Sequence, residues 1–102
     1  MGRGDFAEAD VSKNLLEKIA GYKEALRLHT QKDSPQQWAE TQYNLADTYT
    51  LLADAEEDFI YLFRAHDCLI HAAKGFSAVG LADRLQAAKA EIERIERKIM
   101  EE

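Results

Sequence analysis

Breakers of regular structure are scarce in this sequence. Pro35 is the only proline, and the five glycines stand at 2, 4, 21, 75 and 80. Proline and glycine most often interrupt helices and strands, so a chain with few of them forms long elements. No stretch alternates apolar and polar residues cleanly, and β-branched residues are scattered, which leaves helices. At 102 residues the chain is one domain or a piece of a repeat array. That length buries roughly two-thirds of the unfolded surface without help from metals or disulfides.

The best-marked boundary is Asp33-Ser34-Pro35-Gln36-Gln37. Ser34 is placed to cap a helix with its hydroxyl, Pro35 suits the first helical position, and Gln37 completes a capping box. Asp54-Ala55-Glu56-Glu57 gives a second acidic start signal. Gly80 suits a left-handed helix end, and Gly75 is a competing stop. Four helices result, over about 11–31, 35–53, 55–79 and 81–101, with residues 1–10 as a flexible tail. Leu15, Ile19, Tyr22 and Leu26 form a one-sided stripe on the first helix, and Leu85, Ala88, Ile92, Ile95 and Ile99 do so on the fourth. The second carries Tyr43 and Leu51 opposite Trp38 and Leu45. In the third, Phe59, Leu62, Phe63, Leu69, Ile70 and Phe76 cover most of the circumference. The inner helices are therefore expected between neighbours, and Trp38 is expected buried where the first three meet.

Charge and composition exclude several classes. The 13 basic and 19 acidic residues leave a net charge of −6, which opposes a nucleic-acid footprint. No apolar run has the length of a membrane span, and the polar N-terminus is not a secretory signal. The one cysteine, Cys68, permits no internal disulfide and suits a reducing, cytoplasmic compartment.

An internal repeat emerges when the chain is slid by about 47 residues: Lys18–Ala25 falls over Ala65–Ala72, Trp38 over Leu85, and Leu45 over Ile92. The segments Leu16–Leu26 and Ser34–Tyr49 resemble tetratricopeptide repeats, in the bacterial variety with long repeats. Leu45, Ala46 and Tyr49 stand where that family's first helix has Leu, Gly and Tyr. Ala65, Leu69 and Ala72 stand where its second helix has Ala, an aromatic and Ala. The resemblance covers roughly residues 14–80 and implies an all-α fold of four antiparallel helices, stacked as hairpins in a right-handed solenoid. A plain four-helix bundle is the competing architecture.

Chemical motifs are sparse. His66, Cys68, His71 and Asp67 have spacings that bind zinc only if further ligands converge. A metal-assisted hydrolase at His66, Cys68 and His71 is the enzyme alternative, and no catalytic, metal or cofactor residue is assigned. Asp54, Glu56, Glu57 and Asp58 lack the glycine and terminal glutamate of a calcium loop and mark a helix start. Cys68 fits a small buried hydrophobe.

The non-core faces of the second and fourth helices are more informative. Glu40, Tyr43, Asn44, Asp47 and Leu51 share one, and Arg94, Arg97 and Lys98 share the other. First helices line the concave groove of tetratricopeptide domains, so the resemblance implies that these eight residues line a groove for a peptide or helix of a partner protein. The expected function is a non-enzymatic protein-interaction module, without nucleic acid, membrane or cofactor. The alternative is a self-associating structural domain, a homodimer, held through Leu16 and Ala20 on the first helix together with the other side of the third.

Overall fold

The computed structural model describes residues 3–101, with side chains from Asp10 onward. These residues form α1 (Arg3–Leu28), α2 (Pro35–Glu56), α3 (Ile60–Ala78) and α4 (Ala82–Glu101), with no strand among them. The Met1 and Gly2 portion of the expected tail lies outside the described residues.

Helix boundaries follow local chemistry, with three differences from expectation. First, α1 starts at Arg3 rather than 11. The stretch Phe6-Ala7-Glu8-Ala9-Asp10 contains no breaker and extends the helix backwards. Second, Ser34 occupies the cap position of α2, but its hydroxyl makes no cap bond. Thr30 closes that loop instead: its Oγ1 accepts the Asp33 N–H at 3.1 Å, and its carbonyl accepts the Ser34 N–H at 2.9 Å. Pro35 does open the helix. Third, Asp54–Glu57 does not start α3; α2 runs on through Glu56. Glu57 then turns left-handed at φ 52°, and Ala53 O accepts both the Glu57 and Asp58 N–H groups. Asp58 is the acid that starts α3, its Oδ1 accepting the Ile60 N–H at 3.0 Å. Gly80 ends α3 as anticipated, at φ 76° with the Leu81 N–H returning to Phe76 O.

Helix α2 packs on α1 and α3, and α3 packs on α2 and α4. The inner helices are thus covered from two directions, as their patterns require. Among the described residues, α1 and α4 make no extensive contact. The beginning of α2 lies against the end of α3, where Ala39 meets Gly75. The end of α2 lies against the beginning of α3, where Tyr49 stacks on Tyr61 at 6.2 Å.

Gly75 is therefore no helix stop. It lies buried inside α3, and a methyl group there would stand 2.6 Å from the Ala39 Cβ. Its missing side chain lets two helix backbones approach. Leu45, Leu52, Leu62, Leu69 and Phe76 fill the centre, with Leu15 and Ile19 from α1 and Ala88 and Ile95 from α4. Trp38 is only half-buried, its ring edge-on to His71 at 5.7 Å and touching Gly75. It covers the rim of the α2–α3 seam rather than the centre. The circumference of α3 is also less fully covered than its composition indicated. Phe59, Phe63 and Ile70 are 36 %, 53 % and 36 % exposed.

Candidate functional site

The face shared by α2 and α4 is built by two cross-helix ion pairs. At one end Arg84 reaches Glu40, with Nη2 and Nε donating to the two carboxylate oxygens at 2.5 and 3.2 Å. At the other end Lys98 Nζ stands 3.4 Å from Asp54 Oδ1. Both pairs join residues 44 apart in sequence, so the two helices lie alongside one another, start beside start and end beside end.

Between these pairs Tyr43, Ala46, Asp47, Thr50 and Glu91 surround a cavity of about 60 Å³, floored by Leu69 of α3. Helical spacing brings the α2 members together, because positions three and four apart share a face. Tyr43 also lies edge-on to Phe76 at 6.2 Å and beneath the Arg84 guanidinium at 4.7 Å. Burial pushes the Tyr43 phenol above its ordinary pKa, and the Glu91 carboxylate adds to the rise. The phenol stays neutral at pH 7 and acts as hydrogen-bond donor and acceptor. Arg94 binds Glu91 at 2.7 Å; that bond first, and the fields of Glu91, Asp47 and Asp54, hold its guanidinium firmly charged.

Five of the eight expected residues take defined places around this face: Tyr43 and Asp47 line the cavity, Glu40 and Lys98 close its ends, and Arg94 stands at its α4 edge. Leu51, Asn44 and Arg97 are exposed on the same helices. The charged members are engaged with one another more than free for a ligand. Arg84, Glu91 and Thr50 also belong to this face, and the pairing of Arg84 with Glu40 across two helices is one that a position on one helix could not reveal.

Other candidate clusters disperse. His66 Nε2 pairs with Glu96 on α4 at 2.9 Å, whereas His71 packs on Trp38. Cys68 is buried between them in sequence, and desolvation pushes its thiol up to about 11. Such a thiol stays protonated and inert at neutral pH. Among the described residues no group of three His, Cys, Asp or Glu side chains is arranged to hold a metal ion. No described helix is long and apolar enough to cross a membrane.

The arrangement offers carboxylates, a phenol and a hydroxyl around a small cavity floored by Leu69. No family model matches the chain, and no curated protein or solved structure matches it either.

Proposed function

We propose that the chain is a non-enzymatic interaction module, two antiparallel helical hairpins stacked in the tetratricopeptide manner, which binds a peptide or helix of a partner protein across α2 and α4. The observation that carries this reading is the side-by-side course of those two helices, fixed by Glu40–Arg84 and Asp54–Lys98. First helices of successive tetratricopeptide repeats lie together in this way, with the second helix behind them, as α3 lies behind the cavity floor. Among the described residues neither α1 and α4 nor α2 and α4 make extensive backbone contact, so α2 and α4 meet through their side chains over α3.

In this reading Leu51 and the Tyr43 ring give a partner apolar contact, while Asn44 and Asp47 give it hydrogen-bond partners. The two ion pairs set the groove's width. The protein works in a reducing, cytoplasmic setting, where Cys68 remains a free thiol.

The test is selection of peptides from a random displayed library, followed by mapping of amide shifts on the labelled protein. Shifts centred on Tyr43, Asn44, Asp47, Leu51 and Arg94 are expected. The paired change Leu51→Glu and Arg94→Glu then weakens binding at least tenfold, about 1.4 kcal/mol. Peptides that shift only α1, or none selected at all, would sink the proposal.

A further inference from the structure

A second surface begins where this groove ends, at the α2–α3 corner. No lysine or arginine occurs between Lys32 and Arg64, so α2 and the corner carry acids alone. Among the described residues, the ion pairs that reach α2 come from α4, at Glu40 and Asp54. Among the described residues, no base pairs with Glu57 or Asp58. Beside these carboxylates, α3 exposes Phe59, Phe63 and Ile70, which share one helix face by their spacing. A cavity of about 440 Å³ opens at the same corner, between Asp54, Glu57, Asp58 and Phe59 on one side and Lys98 on the other. The surface is apolar along α3 and negative at its start.

The chain carries the complement on its opposite flank. Lys13, Leu16, Ala20, Lys23 and Arg27 follow one another in steps of three and four along α1, and all five are exposed. They share one face that flanks the stripe burying Leu15 and Ile19, and Lys23 is near enough to α3 for its charge to act on the Cys68 thiol. The stripe is apolar and small in the middle, with bases at both ends, of which Arg27 also pairs with Glu24 at 2.9 Å. Leu16 is 50 % exposed.

We infer that the α1 stripe of one copy docks on the α3 face and acidic corner of a second copy, head to tail. Leu16 covers Phe63, Ala20 allows close approach near Phe59, and Lys23 and Arg27 meet Glu57 and Asp58. From Leu16 to Lys23 is about 10 Å along a helix, which matches the span from Phe63 back to the corner acids to within the reach of a lysine side chain. Docked head to tail, each copy keeps one unused patch of either kind, so the contact propagates into open chains wherever its rotation does not close a ring. Opposed charge at the rim makes assembly sensitive to salt.

Sedimentation velocity over a concentration series tests this. The parent is expected to associate progressively at low salt and less at high salt. Leu16→Glu removes the donor patch and Phe63→Glu the acceptor patch; both positions are exposed, so both variants should melt like the parent. Each variant alone is expected to be monomeric. Their mixture restores one intact contact and gives a dimer that grows no further, which a contact of identical patches could not do. A parent that stays monomeric at millimolar concentration, or a mixture that stays monomeric, overturns the inference. So does a monomeric parent whose corner amides shift only with an added lysine- and leucine-rich peptide, since that assigns the face to a foreign basic helix.

Discussion

The seam between α2 and α3 and the seam that holds α4 are made of different material. Between α2 and α3, alanines and a glycine bring the backbones together, and Leu52, Ala65, Ala72 and Phe76 are wholly shielded from water or nearly so. Helix α4 contributes only Ala88 and Ile95 to the fully buried core, and it is tied down by Arg84–Glu40, His66–Glu96 and Lys98–Asp54. A dry seam draws on apolar burial, which persists in salt. Ion pairs that water still reaches are each worth little and are screened. The hairpin α2–α3 is therefore the stable body of the domain, and α4 is a helix laid against it with adjustable ties.

The largest break in this contrast comes from the dry side. Phe76→Ala empties a fully buried ring and should cost about 3–5 kcal/mol in denaturant unfolding. If it costs no more than changes on α4, the contrast fails. Gly75→Ala should also destabilise, by about 1–3 kcal/mol, because the added methyl meets Ala39 and outweighs the gain in helix propensity. A neutral or stabilising outcome would mean that the two backbones lie farther apart.

Cys68 reports on the same seam through pH. Its folded-state pKa is raised from 9.0 to about 11, so the neutral thiol is the stabilised form. That contribution is complete below pH 9 and is lost as pH climbs from 9 to 11, an effect on the order of 1 kcal/mol. Chemical denaturation across this range should show the decline in the parent and a weaker one in Cys68→Ala. Equal slopes in both would assign the alkaline loss to the tyrosines.

On the charged side, a double-mutant cycle with Glu40→Gln and Arg84→Met should give a coupling of about 0.5–1 kcal/mol that shrinks in high salt. Lys98→Ala is the smallest change, within about 0.5 kcal/mol. Hydrogen exchange after these changes should quicken in α4 and leave α2 and α3 protected. Uniform acceleration would show one cooperative unit.

Much of this was legible from residue order. Pro35 and Gly80 fixed two boundaries because each acts through its own backbone, and one-sided stripes identified α1 and α4. The acids of 54–57 misled because an acidic residue favours a helix start only where the chain also turns, and the turn came at Glu57. Gly75 read as a stop because its role depends on Ala39, which is distant in sequence. Trp38 read as core because its apolar area was visible and its place at the rim was not. The same limit applied to Phe59, Phe63 and Ile70: periodicity shows that a face is apolar, while coverage depends on whether a neighbour arrives. In the candidate groove, faces of single helices were readable. The partnership of Arg84 with Glu40 depended on how two helices sit together.

The corner at Glu57 and Asp58 has a practical consequence for cleavage. With no lysine or arginine between Lys32 and Arg64, trypsin has no target within α2 or the turn that follows it. A glutamyl protease does, since Glu56 and Glu57 are exposed where the helix ends and the chain reverses. The two enzymes thus divide the molecule differently. Trypsin finds its sites on α1, at Lys32 in the loop that follows it, on α3 beyond the corner and on α4, whereas a glutamate-specific cut at the corner separates α1–α2 from α3–α4 and gives two pieces that can be tested for reassembly.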